Sequence, residues 1–425
     1  MTRRVVVTGL DVVTPIGIGA AAFWKAALAG VSGVRRITHF DPEGLPTQIA
    51  ATLSDRALLD ALREETGLDR HEPRGAVVGV RAALGAATHG RAFDVLKSRR
   101  AGVYVGTSGE RRDLRELGAT AYASAAHGAV TPERFAYALA GRADAEGAYR
   151  MLPQYLAAHL AGLFGIEGPT ATVQTACTSS AQALGAAVRA VRRGTIDVAL
   201  AGGADCIASP IEVQLFCLLG VLSRQNHEPE TASRPFDARR DGFVLGEGAA
   251  FVVLEEAEHA RARGADVLAE VAGYGSACDA YRITDEAPDG RGAVRAMRAA
   301  IDDAGLQPSD IGYVNAHGTS TPMNDRVETA AIKSVFGPHA ARLLVSSTKS
   351  MIGHTISAAG AIELATTVLA LRDQVAPPTI NYGVVDPDCD LNYVPNAAVP
   401  ARLDAAISNS FGFGGHNDCL LLRRV

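Results

Sequence analysis

The sequence predicts an α/β protein built as two similar halves, with helices layered against sheets. Short β-branched runs alternate with helix-patterned stretches along the whole 425-residue chain. The grammar of strand, helix and strand is repeated after residue 262, which divides the chain into 1–262 and 263–425. The 44 glycines, many alanines and single tryptophan suit closely packed layers joined by sharp turns.

A chain of this length, with 48% hydrophobic and 20% charged residues, has enough apolar surface for two core-forming units. A net charge of -5 argues against a nucleic-acid binder held by bulk electrostatics. No apolar run is long enough to span a bilayer, and MTRRVVVTGLDVVTP reads as a strand and a Pro turn rather than a signal peptide, so a cytoplasmic location is expected. Cys177, Cys206, Cys217, Cys278, Cys389 and Cys419 contain no CxxC pair, which indicates neither a disulfide framework nor a zinc site.

Residues 5–8 form the first strand, and Gly17 to Ala22 lead into a helix holding Phe23, Ala26 and Leu28. The intervening residues 11–16, with Pro15, separate those glycines from the strand, unlike a dinucleotide fingerprint. Residues 54–86 are helical in character, and Arg56, Arg63, Arg70 and Arg74 read as a solvated face. After a strand at 103–106, residues 111–150 read as a helical insertion over the core.

Residues 170–174 alternate as a short buried strand, and from Ser179 onward Leu184, Val188 and Val191 fall on one helix face. Cys177 occupies the turn between them. Free N–H groups and the helix dipole there would stabilise a thiolate, making Cys177 a candidate nucleophile; a small buried thiol among alanines fits the same pattern. Thr178, Ser179 and Ser180 suit an N-cap, and Arg189, Arg192, Arg193 and Gly194 a C-terminal end. A strand at 198–201 and an apolar segment at 215–222 follow; the glycines of 234–248 lack the Lys-Ser/Thr of a phosphate loop. A strand at 250–254 and a charged helix at 255–265 complete the first half.

The second half brings strands at 267–274, 312–315 and 343–347, helices at 293–304 and 357–371, and a final apolar strand. Three polar or flexible pieces sit at strand ends, where open α/β sheets place their sites: Asn315 to Thr321, Ser346 to His354, and Phe411 to Gly415. Singly, His317 reads equally as a structural histidine, Lys349 as a surface charge and the glycines as a turn. Together with Cys177 they form a constellation.

The blocks TACTSS, RPFDARRDGFVLGEG, NAHGTSTPMND, SSTKSMIGH and SNSFGFGG, in that order over nearly the whole chain, resemble the β-ketoacyl synthases, condensing enzymes of the thiolase fold. The resemblance is to the elongating type of fatty acid and type II polyketide synthesis. It implies an αβαβα layered structure and decarboxylative Claisen condensation of an acyl group on Cys177 with malonyl carrier protein, giving the 3-oxoacyl product. His317 and His354 would donate hydrogen bonds to the enolate, and the N–H groups of Cys177 and Phe413 would form the oxyanion hole. Lys349 would pair with Glu328, with Asp325 nearby, and keep His354 neutral. Thr319 and Thr321 would hold the amides of a phosphopantetheine arm, and Phe411 and Phe413, beside Gly414, resemble an aromatic gate. No metal and no cofactor are implied, since substrates arrive on the phosphopantetheine of an acyl carrier protein.

The implied assembly is a homodimer, or a heterodimer with a chain-length-factor-like ketosynthase, without nucleic acid or membrane. The stretch 324–331 looks closer to polyketide enzymes, and SNSFGFGG to fatty acid enzymes. His416 stands where threonine is common, residues 111–150 match only loosely, and Arg70 and Arg74 are the arginines nominated for carrier docking. The competing readings are a non-catalytic chain-length-factor-type partner, which would lack the nucleophile, and a thioester-cleaving thiolase or hydrolase. Thiolases typically carry a second cysteine where this chain has histidine.

Overall fold

In the computed structural model, which describes residues 3–109, 114–125, 128–141 and 145–425, the main sheet has eleven strands. The first half contributes β1 (Val5–Thr14), β2 (Ala101–Gly106), β3 (Thr170–Val173), β4 (Val198–Asp205) and β5 (Gly248–Glu256). The second contributes β6 (Ala269–Cys278), β7 (Tyr313–Asn315), β8 (Leu344–Ser346), β9 (Ala405–Gly412) and β10 (His416–Arg423).

The first five lie in the order β1-β5-β4-β2-β3 and the second five in the order β6-β10-β9-β7-β8, which is the same plan. Strand directions agree too: β2 is parallel to β3 and β4 as β7 is to β8 and β9, while β5 and β10 run antiparallel to both neighbours. The two sets meet where Val6 and Val7 of β1 pair with Glu270 and Ala269 of β6. The eleventh strand is Gly17–Ile18, folded back on the end of β1. Duplication is therefore plain in the topology, although no sequence repeat displays it.

The helices make the layers. α1 (Arg74–His89) covers β1 and β5 on the outer face of the first half. α2 (Ser179–Arg192) and α5 (Ala359–Asp373) pack on each other between the halves. α3 (Arg291–Ala304), with α4 (Pro322–Phe336) against it, covers the outer face of the second half. α5 is buried on every side from Ala359 to Leu371, which explains its small residues and missing polar face. The α2 and α5 backbones approach closely at Gly360, where a Cβ would lie 2.8 Å from that of Ala181.

Local differences from expectation have local causes. Antiparallel pairing with β5 carries the first strand to Val13, and the fold-back of Gly17–Ile18 extends it to Thr14. Residues 54–86 split into a helix over Arg56–Thr66 and α1, because Pro73 precedes the second. Arg74 is not on a solvated face: it forms a two-pronged ion pair with the fully buried Glu247, at 2.8 and 2.9 Å, and is not a free docking arginine. Arg70 is exposed, its Nε donating to His71. The apolar segment at 215–222 is the end of a helix over Pro210–Leu218 capped by Ser209. Of the insertion, Leu114–Ala125, Pro132–Ala140 and Ala145–Arg150 are helical, whereas 110–113, 126–127 and 142–144 lie outside the described residues. Gly17 to Gly19 lead into the helix Ala20–Leu28, whose first N–H is taken by the Asp11 carboxylate at 2.5 Å, so a side chain fills that helix terminus. Among the described residues no helix is long and apolar enough to cross a membrane.

Candidate active site

Cys177 lies past the C-terminal end of β3, in a 3-10 turn (Ala176–Thr178) that runs straight into α2. Ala176 takes a positive φ of 51°, a strained setting for a residue with a Cβ. The turn is closed by Ser179, whose Oγ donates to Ala176 O and accepts from Thr175 N–H. Thr178, the residue before the helix, makes no capping bond, so Ser179 works on the turn rather than as an N-cap. The corresponding place in the second half, Ile356 (φ 44°) to Ala358 before α5, has the same form, and Ser357 is the counterpart of Cys177.

Three further loops leave the C-terminal ends of β7, β8 and β9 and reach the same point. The loop after β7 carries His317, whose N–H and that of Gly318 donate to Glu328 on α4 at 2.9 and 2.8 Å. The segment after β8 carries Lys349 and His354. The turn after β9 brings Phe413, whose backbone N–H, with that of Cys177 itself, points at the Cys177 sulfur. Gly412 makes this approach fit, since a Cβ there would lie 3.3 Å from both Cβ and N of Cys177. The sulfur and one ring nitrogen from each of His317 and His354 all lie within 4.8 Å of one another, and all three residues are buried.

Hydrogen bonds fix both histidine tautomers. Lys349 Nζ lies 3.3 Å from Nδ1 of His317, and the N–H of Ile356 donates to Nδ1 of His354 at 3.2 Å. Each Nδ1 is therefore an acceptor, and each Nε2 carries the proton. Among the described residues, Nε2 of His354 is buried with no hydrogen-bond partner. Burial first, and the Lys349 charge second, hold both imidazoles well below the ordinary value of 6.5. Burial pushes the Cys177 thiol up to about 12, against the opposing pull of Lys349 and the two N–H groups. Burial thus works against the stabilised thiolate expected at a helix terminus.

A pH consequence follows from the depressed imidazoles. Protonation, which would destroy their acceptor atoms at Nδ1, occurs only in acid, so condensation should not fall as pH drops through 6.5. A pH–rate profile with its acid limb at the ordinary imidazole value would contradict this assignment.

The support differs from expectation. Lys349 pairs with Glu363 of α5, not with Glu328, because Glu328 is occupied by the His317 and Gly318 N–H groups and by Asn409. Asp325 does not attend Lys349 either; it accepts from Phe236 N–H at 2.7 Å and pairs with the buried Arg240 at 3.3 Å. Burial raises Glu363 to about 7, with Lys349 drawing it back. A thiol and two imidazoles are also a donor set for a soft cation, but the Lys349 ammonium beside His317 opposes a second positive charge there.

These groups open into a cavity of about 150 Å³, whose apolar walls include Phe216, Val221, Phe243, Met323, Ile356, Phe411 and Phe413. Thr319 and Thr321 line it with their hydroxyls 2.9 Å apart; Thr321 also caps α4 through Asn324 N–H. Phe411 belongs to the core of the second half, whereas Phe413 is half-buried in the turn and Gly414 is exposed (φ 85°) outside the cavity lining.

The model of the family described as beta-ketoacyl synthase, N-terminal domain, matches residues 2–260, and that of its C-terminal domain matches residues 268–383. The chain belongs to the β-ketoacyl synthase family. A protein of Streptomyces cyaneus named as a polyketide beta-ketoacyl synthase 1 is 45% identical over 99% of this chain and 98% of its own. The 3-oxoacyl-[acyl-carrier-protein] synthase 2 of Coxiella burnetii is 41% identical over 100% and 99%. Among solved structures, the ishigamide ketosynthase/chain length factor superposes with a TM-score of 0.88 at 35% identity, covering all of both chains. The layered architecture is thus the thiolase-like fold of the ketosynthases.

Within this β-ketoacyl synthase family chain, sequence reasoning missed Glu363, Arg240 and Glu286. Glu363 left a signal, a single acid in the otherwise apolar run AGAIELATTVLAL, where an unpaired charge is costly. Glu286 left none, because acids in a loop read as solvated.

Proposed function

We propose that this chain is an elongating ketosynthase: it takes an acyl group onto Cys177 and condenses it with malonyl carrier protein to give 3-oxoacyl carrier protein. The single observation that carries the reading is a buried sulfur facing two neutral imidazoles whose free Nε2–H groups point into one cavity. In the first half-reaction the sulfur attacks the acyl thioester, its proton leaves with the departing pantetheine thiol, and the N–H groups of Cys177 and Phe413 hold the oxyanion. In the second, malonyl thioester loses carbon dioxide, and the enolate oxygen accepts from Nε2–H of His317 and of His354. The carbanion attacks the acyl-cysteine, the C–S bond breaks, and the expelled thiolate takes a proton from water.

Lys349, held by Glu363, is a positioning residue that fixes the His317 tautomer. Glu328 orients the His317 loop, and Asp325 steadies the neighbouring turn through Arg240. Thr319 and Thr321 hold the amides of the phosphopantetheine arm. Phe413, more than Phe411, forms the gate, and Gly414 is its hinge. The enzyme works without metal or resident cofactor, in the cytoplasm, away from nucleic acid and membrane, and the division at 262/263 separates the sulfur half from the imidazole half. Its partners are an acyl carrier protein, as the name of the Coxiella relative suggests, and either a second copy or a chain-length-factor-like chain.

The test is mass spectrometry of products from purified protein, malonyl carrier protein and a panel of acyl carriers. The 3-oxoacyl product, lost in Cys177→Ala, supports the proposal. Free acid without condensation would mark a hydrolase, and a Cys177 that accepts no acyl group would mark a non-catalytic partner; either overturns it.

A further inference from the structure

One ionisable group in the cavity takes no part in the chemistry above. Glu286, in the loop between β6 and α3, lines the cavity together with Cys177, His317 and His354. The remaining walls are mostly aromatic and aliphatic. Its neighbour Asp285, also on the lining, is paired with Arg282 at 3.1 Å. Asp279 accepts from Ala287 N–H and from Asn417, and Asp325 is paired with Arg240. Glu286 has no cation within ion-pair distance among the described residues, and Asp279, Asp285 and Asp325 are near enough to disfavour its charge. Burial, reinforced by these neighbours, raises its carboxyl to about 7.

A half-buried carboxyl without a cation costs stability, and an apolar cavity gains nothing from it unless the occupant supplies a donor. We propose that Glu286 is a specificity residue that selects acyl chains bearing a hydroxyl or amino group over plain alkyl chains of the same length, by accepting a hydrogen bond from that group. This rests on the ketosynthase reading of the same cavity. A site built to bond a substrate hydroxyl or amine discriminates far more sharply than an apolar wall does.

The experiment compares octanoyl carrier protein with hydroxyoctanoyl and aminooctanoyl analogues substituted at successive carbons, reading the rate of Cys177 acylation by intact-protein mass spectrometry. The wild type should prefer a substituted chain, at one position, by at least about tenfold over octanoyl. Glu286→Leu should bring that ratio close to one. Glu286→Gln, which keeps an acceptor oxygen but not the charge, should retain the hydroxyl preference and lose most of the amine preference. A wild type that acylates all chains alike, or a Glu286→Leu variant with an unchanged ratio, overturns the assignment. Acylation is read before condensation, so failure to form any 3-oxoacyl product indicts the ketosynthase reading, whereas a flat acylation profile indicts Glu286.

Discussion

Replacing His317 or His354 with alanine is expected to cut condensation by about 10²–10³-fold while Cys177 still acylates. The asymmetry follows from where each charge develops. In the proposed acyl transfer the oxyanion lies against the two N–H groups that now point at the sulfur, those of Cys177 and Phe413, which neither substitution removes. In the proposed decarboxylation the enolate oxygen depends on the two Nε2–H donors, each on a buried ring whose Nδ1 is already engaged. Losing one preorganised donor costs about 2.7–4 kcal/mol of barrier, which is the expected fold-change. Single-turnover mass spectrometry of the acyl-enzyme, beside the rate of carbon dioxide release from malonyl carrier protein, separates the two steps. Equal loss of both half-reactions would refute the division of labour.

The second large effect is at Lys349. It forms a buried ion pair with Glu363 and lies 3.3 Å from Nδ1 of His317. Lys349→Met leaves the Glu363 carboxyl alone between the two halves, and breaking a buried pair of this kind costs about 3–5 kcal/mol of stability. Denaturant unfolding should show the loss. The paired change Lys349→Met with Glu363→Leu removes both charges and should recover most of the stability. It should not recover condensation, because Nδ1 of His317 has then lost the donor that keeps its proton on Nε2. Loss of the Lys349 charge also lets the imidazole pKa values rise, so the acid limb of the pH–rate profile should move upward in the paired variant. Recovery of condensation together with stability would show that Lys349 only holds the fold.

The local patterns of this chain reach the element level. The strands, the turn carrying Cys177, and α5 as a small-residue helix follow from β-branching, helix-face spacing and composition, because those are properties of neighbouring residues. The five sequence blocks also marked Cys177, His317, Lys349 and His354 as one group. Local pattern failed where partners come from distant segments. Arg74 looked like surface until β5 brought Glu247 beneath it. Lys349 was assigned Glu328, yet Glu363 is its partner, since α5 packs along the middle layer and places that acid under the site while Glu328 turns to backbone N–H groups.

The protonation states were likewise a tertiary matter. A helix terminus argues for a thiolate at Cys177, but only the folded cavity fixes how much water the sulfur loses, and desolvation set the direction. Residue order therefore established the α/β halves and singled out the candidate side chains, because periodicity and motif are written along the chain. Their partners, tautomers and charge came from packing, because those depend on which atoms meet across hundreds of residues and on how completely water is excluded.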